Sequence, residues 1–127
     1  MRPLPPPLTM TLFVPGQLTS RLNGSSSRAH WSAISRASAE WKTRTRLTWL
    51  MAGQPQWDGP ARVTFTAYVG RLWDDDNLPA AIKSIRDTCV PLILGGDDGP
   101  RCGHTFAYRQ EVRPASARGV LITVEPQ

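Results

Sequence analysis

Four segments of the chain have the period-two pattern of β-strands, in which apolar and polar residues alternate. They are residues 8–14, 61–70, 104–112 and 120–124. The second is the most regular, because every other residue from Val63 to Val69 is apolar and so would face one side of a sheet. We expect this strand to continue through Trp73 into the acidic segment Asp74–Asn77.

Two further segments have the three- and four-residue apolar spacing of amphipathic helices. The first extends from about Trp31 to Met51, before a stop at Gly53. Its predicted buried stripe consists of Trp31, Ile34, Ala37, Trp41, Thr45 and Thr48, with Leu47 and Leu50 added. The second begins at Asp76 or Asn77, either of which is a good N-cap, with Pro79 in the first turn. Its predicted buried residues are Leu78, Ile82, Ile85 and Cys89, and Lys83 and Asp87 form an i,i+4 pair on its outer face.

The order strand, helix, strand, helix, strand, strand predicts a small α/β domain of the α+β type with a mixed four-stranded sheet. Residues 1–7 are rich in proline and are expected to form a flexible tail, and residues 8–127 form a single domain. Two segments stay open: Val90–Leu94 is either the end of the second helix or a buried strand, and Arg113–Gly119 is a loop or a hairpin turn.

Composition narrows the class of protein. No apolar run approaches the roughly 20 residues of a membrane helix, and the proline-rich start lacks the apolar core of a secretion signal. Two cysteines are too few for a disulfide scaffold, so a reduced, cytoplasmic protein is the expectation. No glycine-rich loop ends in Gly-Lys-Ser/Thr, which argues against a nucleotide cofactor.

The net charge of +5 is unevenly distributed. Residues 74–98 contain six acids and two bases, a net −4, while the rest of the chain has thirteen bases and four acids, a net +9. A basic body attracts polyanions such as nucleic acid, and a divalent cation would neutralise the acidic part. The alternative is a solvated basic surface that carries an acidic loop.

The acidic segment has the residue types of a metal site. At the end of a strand, Asp74 and Asp76 are expected to project together, because residues i and i+2 share a face. Asp97 and Asp98 lie in a glycine-rich turn, and we expect the second helix and the run after it to return them to the same end of the sheet. Carboxylate oxygens suit Mg²⁺ or Mn²⁺, which support phosphodiester hydrolysis. The alternative is a helix cap beside solvated turn residues.

Taken together, these motifs resemble the RusA-type endonucleases, which resolve Holliday junctions. The resemblance is carried by Asp74-Asp75-Asp76-Asn77-Leu78, by Lys83 in the following helix, by Gly95-Gly96-Asp97-Asp98, and by the early Phe13-Val14-Pro15-Gly16. It implies a small mixed α/β fold, a homodimer, and Mg²⁺-dependent paired nicking of four-way DNA junctions. A small basic chain of this kind suits a phage or prophage, acting in the bacterial or phage-infected host cytoplasm.

The resemblance also implies roles for single residues. Asp74 and Asp76 match the two motif carboxylates, and Asp98 matches the third, with Asp97 as a substitute metal ligand. Asn77 matches the motif asparagine, which we place among the DNA contacts. The family often has a lysine where this chain has Ala80, and Lys83 is expected to act on the phosphate in its place.

The remaining candidates are basic. Arg28, Arg36, Arg44 and Arg71 are candidate contacts to the DNA backbone, which position a protein on DNA without reading its sequence. Two other functions stay open: a DNA-binding protein of the same fold that does not cut, favoured by Ala80, and a small module that binds a protein partner.

Overall fold

The computed structural model describes residues 9–18, 28–74, 77–96 and 103–127, with only the backbone given for residues 28–33. The elements are β1 (Met10–Pro15), α1 (Arg28–Met51), β2 (Ala61–Val69), α2 (Asn77–Leu94), β3 (Thr105–Val112), a short 3-10 helix (Ala115–Ala117) and β4 (Gly119–Pro126). Their order confirms the predicted α+β class and element sequence. The predicted tail and the side chain of Trp31 lie outside the described residues.

The four strands form one mixed sheet in the order β1-β4-β2-β3. Strands β2 and β3 are parallel, with Arg62 opposite Thr105 and Val69 opposite Val112, and α2 makes the crossover that a parallel pair requires. Strand β4 is antiparallel to both β1 and β2. Because β2 lies between β3 and β4, the segment that joins these two strands is a loop with a 3-10 turn and not a hairpin.

The hydrophobic core lies on one face of the sheet, under the two helices. Every second residue of β2 from Ala61 to Val69 is buried, and the predicted stripe of α2 (Leu78, Ile82, Ile85 and Cys89) is buried with them in one cluster. Helix α1 joins the cluster through Trp41, and the Ser38 and Ser84 hydroxyls hydrogen-bond between the two helices at 2.8 Å. The other face of β2 presents Arg62, Thr64, Thr66 and Tyr68, which are exposed or half-buried.

The residues that α1 buries differ in part from the predicted buried stripe. Trp41 and Thr45 are buried, and Ile34, Ala37 and Thr48 are half-buried, as expected. Leu47 and Leu50, however, are 52% and 43% exposed. Successive residues of an α-helix are about 100° apart, so both leucines lie more than about 130° around the helix from Thr45. Their assignment to the buried stripe was wrong.

Both helices end at glycines with positive φ. Gly53 has a φ of 91° and donates its backbone N–H to the Leu50 carbonyl at 3.1 Å, which confirms the predicted stop. Gly95 has a φ of 74° and donates to the Pro91 carbonyl at 3.1 Å. The open segment Val90–Leu94 is therefore the last part of α2. Among the described residues, no helix is both long and apolar enough to cross a membrane.

Candidate functional site

Strand β2 ends before the acidic segment, at Val69. The prediction that it continues through Trp73 was wrong, and the sheet register gives the reason. Val69 faces the last residue of β3, and β4 begins opposite Tyr68, so the chain beyond β2 has no strand to pair with on either side. The face-sharing argument for Asp74 and Asp76 therefore does not hold, and Asp76 lies outside the described residues.

Beyond the end of β2, the Gln110 side chain makes the backbone hydrogen bonds that a neighbouring strand would otherwise make. The Gln110 amide on β3 accepts a hydrogen bond from the Trp73 backbone N–H and donates one to the Trp73 carbonyl, both at 2.8 Å. We call this pair of bonds the Gln110 clamp. It connects the chain to the sheet at the residue directly before Asp74. Sequence reasoning missed Gln110, because its partner lies 37 residues away along the chain.

The first turn of α2 fixes the chain on the C-terminal side of Asp74. The Asp74 carbonyl accepts the backbone N–H of Asn77 at 3.0 Å and that of Leu78 at 3.3 Å, so it serves as the first acceptor of the helix. Asp74 is exposed and Asn77 is half-buried. Both of these N–H groups are thus already used within the chain, and the next residue, Pro79, has no N–H to offer. Asp74 therefore lies between the Gln110 clamp and the first turn of α2.

The second acidic pair, Asp97 and Asp98, lies outside the described residues, but the chain on both sides of it is described. Helix α2 has 18 residues, about 27 Å at 1.5 Å per residue, and separates Asp74 from Gly96. Gly103 leads into β3, which starts opposite Arg62 at the beginning of β2. The expectation that α2 and the following run return to the end of the sheet near Asp74 was wrong, because Val90–Leu94 extends the helix.

Among the described residues, no group of three or more His, Cys, Asp or Glu side chains is arranged to hold a metal ion. Of the four proposed ligands, Asp74 is the one that the structure describes. Its carboxylate is exposed and of the chemical type that Mg²⁺ prefers, but a single carboxylate does not make a magnesium site.

Lys83 lies on the outer face of α2, as expected. Its Nζ forms an ion pair with the Asp87 carboxylate at 2.7 Å, and the two side chains are 61% and 36% exposed. Lys83 lies six positions after Asn77, about 9 Å along the helix axis. Both members of the pair line an open cavity of about 300 Å³ beside β3, where the Arg86 guanidinium lies 3.8 Å from the Phe106 ring centroid.

The arginines predicted to contact DNA differ in how many contacts their side chains already make within the protein. Arg36 and Arg71 are exposed, and within the described part of the chain neither forms an ion pair. Arg44 is also exposed, but its guanidinium lies 5.5 Å from the Trp41 ring centroid and donates to the Pro15 carbonyl at 3.5 Å. The side chain of Arg28 lies outside the described residues. Arg36 and Arg71 are thus the two candidates that can be replaced without breaking an ion pair in the described part of the chain.

Comparison of the chain with models of known protein families and with curated proteins finds no match. The likeness to RusA-type endonucleases therefore depends on the motifs in the sequence alone.

Proposed function

We propose that the protein is a Mg²⁺-dependent endonuclease of the RusA type, which cuts branched DNA such as four-way junctions by hydrolysing phosphodiester bonds. The observation that supports this most is the position of Asp74. The Gln110 clamp fixes the backbone before it, and the first turn of α2 fixes the backbone after it. A carboxylate that must bind a metal works best on a backbone that is already in place.

The chain's own groups divide the work in this proposal. Asp74 and Asp76, together with Asp98 or Asp97, hold Mg²⁺ or its substitute Mn²⁺ through carboxylate oxygens. When bound, the ion would supply a water of lowered pKa and stabilise the departing oxygen. The Asn77 side chain contacts the DNA, and the basic surface of α1 holds the flanking backbone.

A second copy of the chain completes this site. Within one copy, the described neighbours of the second acidic pair lie at the opposite end of β2 from Asp74. A homodimer with two-fold symmetry pairs each surface of one copy with a surface of the other. Such a dimer can place Asp74 of one copy beside Asp98 of the other, and it matches the two-fold symmetry of a four-way junction.

Mixing two inactive variants tests both the activity and the shared site. In Mg²⁺, the wild-type protein should nick a labelled four-way junction, and Asp74→Asn and Asp98→Asn should each lower single-turnover cleavage by roughly 100-fold or more. Co-refolded mixtures of the two variants should regain about a quarter of the wild-type sites, because half of the dimers carry one site with both carboxylates. Recovery would not occur if both ligands came from the same copy.

A wild-type protein that leaves the junction intact in both Mg²⁺ and Mn²⁺ would overturn the endonuclease. Full-rate cleavage by both variants would overturn the assignment of Asp74 and Asp98 as metal ligands. Binding without cleavage would support the second candidate, a DNA-binding protein that does not cut. That candidate is favoured by the Lys83–Asp87 ion pair, which neutralises the cation expected to act on the phosphate. A protein that ignores the junction at low salt would fit a protein-binding module.

A further inference from the structure

An aromatic pair bridges two strands that are not neighbours, on the sheet face opposite the helices. Phe13 on β1 and Tyr68 on β2 have ring centroids 6.1 Å apart at an angle of 45°, although β4 runs between these strands. The rings meet across Gly119 of β4. A Cβ atom at Gly119 would lie 2.6 Å from the Phe13 ring and 2.5 Å from the Val14 carbonyl, so a larger residue would exclude this contact.

An arginine borders the same pair. The Arg113 guanidinium lies 5.1 Å from the Tyr68 ring centroid, and its backbone N–H donates to the Val69 carbonyl at 2.8 Å. Its Nη2 also reaches the Glu111 carboxylate at 3.2 Å, with the Arg113 side chain 46% exposed. Phe13, Tyr68, Arg113 and Ala117 line an open cavity of about 360 Å³. We call these four residues the Tyr68 platform.

The residues of the platform suit a ligand that has a planar heterocyclic ring and carries negative charge beside that ring. Aromatic rings and guanidinium planes both stack on nucleobases, whichever base is present. Phe13 is 40% exposed, so the stacking surface is open to solvent. The Arg118 guanidinium lies against Gly70, where a Cβ would be 2.6 Å from it, and Arg71 beside it is exposed. These two arginines add positive charge at the end of the sheet from which the chain runs to Asp74.

We infer that the Tyr68 platform binds one unpaired base of DNA by stacking, with the adjoining phosphates held by Arg71 and Arg118. Stacking of this kind requires a base that has left the double helix. A bulge supplies one directly, a four-way junction supplies one when a base pair opens at the branch point, and paired duplex does not. The platform would therefore let the protein select branched DNA. This role rests on the proposed DNA substrate, but it does not depend on cleavage.

Leucine variants separate stacking from simple burial. We would measure binding in EDTA, without cleavage, to a duplex with one bulged adenine, to the same duplex with an abasic bulge, and to the fully paired duplex. Wild-type protein should prefer the bulged adenine. Tyr68→Leu and Phe13→Leu should each weaken that binding by about five- to 100-fold, the range found when a stacking partner is removed, and leave affinity for paired duplex unchanged.

Phe106→Leu is the matched control, because Phe106 is an aromatic residue of the same sheet on the helix side, packed against the core. It should bind all three duplexes like wild type. Circular dichroism and sedimentation of each variant check folding and oligomeric state. A second probe, 2-aminopurine at the bulge, should lose fluorescence on binding wild type and keep it on binding Tyr68→Leu.

The outcomes distinguish this inference from the proposed function. Equal affinity for the adenine and abasic bulges, or unchanged selectivity in both platform variants, would overturn the platform and leave an endonuclease intact. Selective binding by a protein that never cuts would keep the platform and overturn the endonuclease. If Tyr68→Leu or Phe13→Leu turns a dimer into a monomer, the platform is a subunit interface and the inference fails.

Discussion

Replacing Gln110 with alanine removes the Gln110 clamp and should loosen the acidic segment from the sheet. Both hydrogen bonds are 2.8 Å long, and both involve the Trp73 backbone. The variant leaves that N–H and that carbonyl without their side-chain partner, in a region where Gln110 and Trp73 are half-buried. The effect should therefore appear first in stability and then in the position of Asp74.

The expected size follows from these two bonds. A protein hydrogen bond contributes about 0.5–1.5 kcal/mol net to folding, so removing two costs about 1–3 kcal/mol. We expect a value near the middle, about 2 kcal/mol, because water can reach half-buried backbone groups in part. With an unfolding entropy of about 2.1 cal/mol/K per residue, a chain of 127 residues would show a Tm lowered by about 7 °C.

Urea unfolding of Gln110→Ala beside Arg109→Ala measures this destabilisation. Arg109 is the preceding residue of β3, with an exposed side chain, so its replacement lowers strand propensity in the same way but leaves the clamp in place. It should change stability by less than about 0.5 kcal/mol. Gln110→Glu, which keeps the acceptor and removes the donor, should fall between them. If Gln110→Ala and Arg109→Ala unfold at the same urea concentration, the clamp contributes nothing and our account of Asp74 is wrong.

Two further predictions concern the basic helix and the platform. Arg36→Ala should weaken binding to every DNA and flatten the slope of log affinity against log salt by about 0.9 for each DNA phosphate that Arg36 neutralises; an unchanged slope in a salt titration would make α1 an ordinary solvated helix. Gly119→Ala should destabilise the fold by about 1–3 kcal/mol, because its Cβ would lie 2.5 Å from the Val14 carbonyl. Wild-type stability of this variant in urea would show that β1 and β4 adapt without strain.

Local sequence signals predicted the elements well. The alternation along β2, the buried stripe of α2 and the stop at Gly53 depend on nearby residues, and the structure confirms all three. The end of β2 was missed because a strand continues only while other strands pair with it. Here β2 ends where its pairing with Gly119 and Val112 ends, and both of these residues come from segments far along the chain.

The same difference between local signals and long-range contacts applies to the candidate site. The aspartates were found from their residue type and their clustering in sequence, which needs no fold. Gln110 and the Tyr68 platform have no such signal. Gln110 reaches Trp73 only because β3 lies parallel to β2, and Phe13 reaches Tyr68 only because β4 has a glycine where the rings cross. Contacts of this kind become visible once the strand order is known.

The topology of the sheet explains why the Gln110 clamp, Asp74 and the Tyr68 platform all lie at the same end of the strands. Parallel β2 and β3 both finish at this end of the sheet, and β1 finishes and β4 begins there because β4 is antiparallel to its neighbours. The 18 residues of α2, about 27 Å long, lead from this end of the strands to the opposite end. In the proposed endonuclease, Asp74 of one chain therefore works with the second acidic pair of another.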